Sequence, residues 1–178
     1  MIDGKLPTRG LVYAALFGAM TAAGALIVIP LPPVPVTAQT FFMNVAALLH
    51  GGPLAVVSQI IYVLLGVVGM PVFAGGKAGL GILFGPTGGY LFGFIIAAFV
   101  IGHVHRMKKN AGAVWQVFSM VLGMLVIYVA GSIQLAWIAN MSLPQVLIVG
   151  VVPFIPGDLI KIALAVLISS RLKNRIEI

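Results

Sequence analysis

The chain has 178 residues, of which 61% are hydrophobic and only 7% are charged, and its formal net charge is +7. A soluble domain carries about a quarter charged residues, so this composition excludes an ordinary soluble enzyme and a disordered chain. The absence of cysteine excludes disulfides, thiolate metal sites and cysteine nucleophiles.

Residues 1–178 are predicted to form one domain with six apolar runs, where a run of about 20 residues is needed to cross a bilayer. The runs are continuous and lack the alternation of a transmembrane barrel. The first, Gly10–Ile29, ends at a proline-rich segment without N–H donors. The second, Val36–His50, is short, and Gly51-Gly52-Pro53 separates it from the third, Leu54–Gly69.

The second half of the chain contains three longer runs. A glycine-rich segment, Met70–Gly85, precedes the fourth run, Pro86–His103. The fifth run is Ala113–Ala139 and the sixth is Gln145–Ser170. The sequence therefore predicts an all-α membrane protein with six transmembrane helices.

The basic residues collect on one side of the predicted spans. Eight of the ten lie in the termini or between spans four and five: Lys5, Arg9, Arg106, Lys108, Lys109, Arg171, Lys173 and Arg175. Six spans put both termini on one side, and positive charge accumulates on the cytoplasmic side. We therefore predict cytoplasmic termini. Because these residues flank the spans, the net charge indicates contact with a lipid bilayer and no nucleic-acid partner.

Asp158 is the only acidic residue outside the tails, and it lies within the sixth span, three residues before Lys161. That spacing puts both side chains on one helix face. An ionisable group at membrane depth costs about 3 kcal/mol unless it is paired or solvated. One interpretation is a structural ion pair that locks the bundle. The other, which we favour, is a ligand site, since Pro153, Pro156 and Gly157 loosen the helix just before it.

Two further polar residues are candidates for a site on the outer side. Lys77 lies in the glycine-rich segment, either as a solvated loop lysine or as a cation for an anionic solute. No nucleotide-binding loop is predicted there, because Ala78 stands where a serine or threonine would hold magnesium. Gln39 opens the second span and is a candidate for lining a site near the outer face.

Small residues form two stripes along the first span. Ala15, Ala19 and Ala23 form one, and Gly10, Ala14, Gly18 and Ala22 form its neighbour. Such faces let another helix approach closely. Internal packing and docking of a separate subunit are the two interpretations.

No catalytic or metal site is predicted. His50, His103 and His105 lie near the predicted cytoplasmic ends without a carboxylate beside them, which disfavours a metal site. The chain has no carboxylate pair and no Ser/His/Asp cluster, so we expect neither an enzyme nor a cofactor.

Three segments in order along the chain carry a family resemblance. They are residues 33–42 (PVPVTAQTFF), residues 71–76 (PVFAGG) with 85–94 (GPTGGYLFGF), and residues 156–161 (PGDLIK). Together they resemble the BioY family, the biotin-binding S components of energy-coupling factor (ECF) vitamin transporters. The resemblance implies an S component in a prokaryotic cell membrane that captures biotin from outside. A separate transmembrane T subunit and two ATPases would drive its release inward.

The resemblance also implies roles for particular residues. Asp158 and Lys161 would contact the ligand, and the Lys77 loop would lie in the pocket. Some relatives carry a basic residue directly after Gly-Gly-Tyr, where this chain has Leu91, so Lys77 is the candidate to replace it. The stripe formed by Ala15, Ala19 and Ala23 resembles the surface by which S components dock on the T subunit.

The chemistry of biotin suits these residues. Its ureido ring has two N–H donors and one carbonyl acceptor, and its tail is anionic. Asp158 can accept from an N–H, Lys161 can donate to the carbonyl, and Lys77 can meet the carboxylate. The apolar parts of biotin need an apolar wall, for which the candidates are Phe41, Phe73 and Tyr90. The alternative functions are a self-sufficient secondary transporter of a small carboxylate, with Asp158 as proton carrier, and a structural subunit that binds no small molecule.

Overall fold

The structure, a computed structural model, describes residues 8–172 as a helical bundle. The helices are α1 (Thr8–Leu26), α2 (Gln39–His50), α3 (Gly52–Val67), α4 (Gly88–Arg106), α5 (Ala113–Ala139), α6 (Leu143–Gly150) and α7 (Ile155–Leu172). Two short strands, β1 (Val28–Ile29) and β2 (Val36–Thr37), pair antiparallel. Lys5, Lys173 and Arg175, which were used to predict the topology, lie outside the described residues.

Six helical passes make up the bundle, as predicted. Four stretches are long and apolar enough to cross a membrane: Thr8–Leu26, Gly88–Arg106, Ala113–Ala139 and Leu143–Leu172. The fifth, α3, is a shorter apolar helix. The sixth, α2, has 12 residues, so it is only about 18 Å long. Large apolar side chains such as Val129 and Ile133 lie exposed on the outside, where they suit contact with lipid.

Five of the seven lysine and arginine residues in the described chain lie at one end of the bundle. At that end, the Tyr13 ring stacks on His50 with centroids 5.0 Å apart, and Arg106 donates to the His50 carbonyl at 2.7 Å. Ser169 also donates to Gln116 there, at 3.2 Å. These contacts bring together the start of α1, the ends of α2, α4 and α7, and the start of α5. We call this the basic end, defined by Arg9, Arg106, Lys108, Lys109 and Arg171. The opposite end is the cavity end.

A tight corner lets the short α2 reach the basic end. Gly51 alone joins α2 to α3, with φ at +76°, a value that favours glycine. The corner packs directly on α4, because a Cβ at Gly102 would lie 2.2 Å from the Gly52 nitrogen. The chain therefore turns at the basic end, and the extended residues of β2 continue the pass beyond the first turn of α2.

The sixth pass is broken, whereas the sequence predicted one continuous helix over Gln145–Ser170. Helix α6 ends at Gly150, and Val151 leaves helical geometry with φ −129° and ψ −59°. A single 3₁₀ turn, Val152–Phe154, leads into α7. The break has a local cause, because Pro153 and Pro156 supply no N–H to continue the helical hydrogen bonds.

Candidate functional site

A cavity opens at the cavity end, between the loops that follow α1 and α3 and the starts of α2, α4 and α7. It contains about 700 Å³ of space between protein atoms, part of it open to the exterior. Apolar side chains form much of its wall: Pro35, Phe73, Ala74, Ile82, Leu91, Phe94, Ile127 and Phe154. The polar and charged residues are Thr37, Gln39, Thr40, Lys77, Thr87, Tyr90, Tyr128, Asp158 and Lys161. An apolar pocket with a few fixed polar groups is the usual design for a small-molecule site.

The break in the sixth pass brings Asp158 and Lys161 into this cavity. Asp158 lies in the first turn of α7, and the Lys161 ammonium donates to its Oδ1 at 2.8 Å. The positive end of the α7 dipole adds a favourable field at the carboxylate. The pair is therefore stabilised by its neighbours while it lines a space that a ligand can enter.

Helices α2 and α5 complete the hydrogen bonding of this pair. Tyr128 donates to Asp158 Oδ2 at 2.6 Å. Thr40 donates to Oδ1 at 3.2 Å and accepts from Lys161 at 3.0 Å. A carboxylate accepts about four hydrogen bonds and an ammonium donates three. The network thus leaves about one acceptor position on Asp158, at Oδ2, and about one donor on Lys161, whose ammonium lies against Oδ1 of the same carboxylate.

Lys77 brings a second cation to the cavity. It lies in a turn of the loop between α3 and α4, residues 68–87, where the Phe73 N–H donates to the Lys77 carbonyl at 2.9 Å. Because they lie at the cavity end, the loop between α1 and α2 (residues 27–38) and this loop are named the first and second outer loops. Gly75 and Gly76 form the turn with φ of +75° and +73°, values that a side chain would strain. Within residues 8–172, Lys77 forms no ion pair. Because Asp158 and Lys161 cancel each other, the charged residues of the cavity sum to +1.

The aromatic residues predicted for the wall divide into two groups. Phe73 and Tyr90 line the cavity, whereas Phe41 is absent from its lining and packs against Phe42. Residues next to each other on a helix are about 100° apart, so Thr40 faces Asp158 and Phe41 points elsewhere. Tyr90 is held by its hydroxyl, which donates to the Gly150 carbonyl at 2.8 Å. The end of α6 is thereby fixed to the cavity wall.

Gln39 lines the cavity with its side chain already engaged. Its Oε1 accepts from Thr37 at 2.7 Å, and its Nε2 donates to the Tyr62 hydroxyl. Gln39 therefore organises the start of α2 and retains at most one free N–H for a ligand.

Comparison with known proteins identifies the family of this chain. The sequence model of the BioY family matches residues 2–178. The chain belongs to the BioY family. It is 44% identical over 166 residues to the biotin transporter BioY of Thermotoga maritima, covering 93% of this chain and 96% of that one. It is 42% identical over 160 residues to the probable biotin transporter BioY of Pyrococcus horikoshii, covering 90% and 93%.

A solved structure gives the same fold. The crystal structure of the S-component for biotin from an ECF-type ABC transporter superposes with a TM-score of 0.85 at 29% identity. The match covers 96% of this chain and 95% of that chain. The predicted S-component fold and BioY family membership are therefore confirmed.

The two small-residue stripes of this BioY-family chain have different surroundings. Gly10, Ala14, Gly18 and Ala22 are buried, and a Cβ at Gly18 would lie 2.9 Å from the Ser58 carbonyl on α3. This stripe is internal packing. Ala15, Ala19 and Ala23, on the neighbouring stripe of α1, are exposed. They leave a smooth surface that another helix can approach.

Sequence reasoning missed several residues of the BioY-family cavity, among them Tyr128 and Phe154. Tyr128 donates the shortest of the hydrogen bonds to Asp158, and Phe154 lines the wall at the helix break. A tyrosine in mid-helix, such as Tyr128, carries no local signal of its partner. Leu91, the residue directly after Gly-Gly-Tyr, also lines the cavity. Among residues 8–172, no cluster of His, Asp or Glu is arranged to hold a metal.

Proposed function

We propose that this chain captures biotin at the outer face of a prokaryotic cell membrane, as the S component of an ECF-type ABC transporter. The observation that carries the proposal is the hydrogen-bond network of Asp158 and Lys161, which leaves one acceptor and one donor unused within a single ion pair that lines the cavity. A ureido group presents the complementary pair, an N–H beside a carbonyl. Its N–H meets Asp158, and its carbonyl meets Lys161.

The rest of the cavity suits the rest of biotin. The thiophane ring and alkyl chain contact the apolar wall, which includes Phe73 and Phe154. The carboxylate approaches Lys77, whose charge has no partner among the described residues. The net charge of +1 in the cavity matches a monoanionic ligand. No cofactor takes part, and the role is capture without chemistry.

The direct test is to identify the ligand. The full chain is purified in detergent from cells grown with biotin, and the small molecules released by denaturation are analysed by mass spectrometry. We expect biotin in near-stoichiometric amount, and added labelled biotin should exchange with it. Purified, folded protein that neither carries nor binds biotin would refute the proposal.

The role of Lys77 predicts a ligand-specific effect. Lys77→Met should weaken biotin binding and leave the affinity for biotinamide, whose tail is uncharged, unchanged. Lys77 is exposed, and exposed ion pairs are weak, so we expect a loss of about two- to fivefold. Isothermal titration of both ligands measures it. Lys109→Met, which removes the same charge at the basic end, is the matched control, and equal losses for both ligands would show that Lys77 does not read the carboxylate.

The membrane orientation follows from the charge distribution, and the basic end is proposed to be cytoplasmic. Because the chain has no cysteine, a single introduced cysteine is the only labelling site in the chain, and its labelling shows on which side of the membrane it lies. A membrane-impermeant maleimide should label Lys77→Cys in intact cells and should label Lys109→Cys only after the cells are broken. The reverse pattern would invert the topology.

The exposed stripe of α1 is proposed to dock on a transmembrane T subunit that acts with two ATPases. Ala19→Leu should then lower ATP-dependent biotin uptake at least tenfold, since small residues permit close helix approach. Biotin binding by the purified variant should stay unchanged. Ala163→Leu makes the same change at an exposed site of α7 and should leave uptake intact. Normal uptake by Ala19→Leu would place the docking surface elsewhere.

A further inference from the structure

Tyr62, on α3, is fully buried and does not line the cavity. Its hydroxyl accepts a hydrogen bond from Gln39, which in turn accepts from Thr37 at 2.7 Å. Thr37 belongs to β2, the last element of the first outer loop. One side of Tyr62 is therefore attached to the start of α2 and to the loop before it.

The ring of Tyr62 reaches the second outer loop. It packs edge-on against Phe73, with centroids 5.8 Å apart and planes at 88°. Phe73 is the buried anchor of that loop, and its backbone is bridged to Lys77. Gly66, one turn further along α3, leaves the space for the Phe73 ring, because a Cβ there would lie 2.2 Å from it.

These contacts form an unbroken path from one loop to the other. Gln39 and Phe73 both line the cavity, yet they are joined through a residue behind the wall. If Gln39 moves, the Tyr62 hydroxyl loses its donor in a buried place, which is unfavourable. If the Tyr62 ring shifts to follow it, Phe73 loses the surface on which it packs.

We propose that Tyr62 is a positioning residue that couples the two outer loops, so that displacement of Gln39 loosens Phe73 and the turn that carries Lys77. The coupling is a property of the empty protein. The relevance of this coupling to biotin rests on the proposed function. There it would make the two loops at the cavity entrance hold or release the ligand together. A ligand-free test therefore separates this inference from the identity of the ligand.

The test measures the second loop while the first is altered. Ala74→Cys introduces a single cysteine beside Phe73 in a chain that otherwise has none, and its maleimide labelling rate is measured in ligand-free protein in nanodiscs. Gln39→Ala should raise this rate about three- to tenfold, the factor expected for one lost hydrogen bond. Tyr62→Phe, which keeps the ring and removes the hydroxyl, should raise it by the same factor. The two together should raise it no further.

Controls distinguish coupling from general loosening. Tyr13→Phe removes a tyrosine hydroxyl at the basic end and should leave the labelling rate unchanged. Unchanged labelling in Gln39→Ala overturns the proposal, even if Tyr62→Phe does not fold. Multiplicative effects of Gln39→Ala and Tyr62→Phe overturn it as well, because they would show two independent contributions.

Discussion

Replacing Asp158 with asparagine should lower the affinity for biotin roughly 10- to 100-fold. The carboxylate accepts hydrogen bonds from Tyr128, Thr40 and Lys161, and its remaining position is proposed to accept a ureido N–H. An amide replaces one of its oxygens with a donor and removes the countercharge of Lys161. Hydrogen bonds to charged groups contribute about 1.5–3 kcal/mol each. Equilibrium binding of labelled biotin to purified protein measures the loss.

A matched change on the same helix controls for damage to α7. Ser169→Ala removes a buried hydrogen bond to Gln116 at the basic end and should leave biotin affinity unchanged. Lys161→Ala should lower biotin affinity as Asp158→Asn does, since the two residues are proposed to bind the carbonyl and the N–H of the same ureido group. Parent-like affinity in both Asp158→Asn and Lys161→Ala would mean that the pair is structural and that the ligand lies elsewhere.

Gly66→Ala should weaken biotin binding by a comparable amount, although Gly66 does not line the cavity. The added methyl group would occupy the place of the Phe73 ring, 2.2 Å away. The backbone is also involved, because the Gly66 carbonyl accepts the Gly79 N–H at 2.7 Å. Overpacking of this kind costs about 1–3 kcal/mol. Here it destabilises the packing of Phe73, and with it the second outer loop, against α3. We therefore expect roughly a 5- to 100-fold loss in affinity and faster dissociation of biotin.

A compensating change tests the cause of that loss. Gly66→Ala combined with Phe73→Leu should bind biotin more tightly than Gly66→Ala alone, since the smaller side chain relieves the clash. Gly112→Ala is the control, because a Cβ there meets no atom within 4 Å and its φ of −75° suits any residue. If Gly66→Ala bound biotin as tightly as the parent, the packing of Phe73 against Gly66 would not be needed for binding.

The sequence predicted the features that depend on local chemistry. Helix α5 has the predicted bounds, Ala113–Ala139, because its apolar run is long and uninterrupted. Asp158 and Lys161 stand out because ionisable side chains are rare in the membrane, and the structure brings both to the cavity. Lys77, isolated in a glycine-rich loop, reaches the same cavity. Their contact with biotin stays a prediction.

Features that depend on tertiary packing could not be predicted from the sequence. The length of the sixth apolar run concealed the break at Val151, although Pro153 and Pro156 marked its neighbourhood. Phe41 was chosen for its aromatic character, but its direction depends on the register that Thr40 takes toward Asp158. The link of Tyr62 to both outer loops joins residues that are 23 and 11 positions apart, and no local pattern reports such a contact.

The mutual cancellation of Asp158 and Lys161 has an electrical consequence. With that pair neutral, the empty cavity keeps the single charge of Lys77, and a bound monoanion brings the sum to zero. A charge that crosses the full membrane potential gains or loses about 2.3 kcal/mol per 100 mV. Under the proposed transport function, transfer of the loaded cavity across the membrane is expected to be electroneutral, and the membrane voltage should act only on the empty protein.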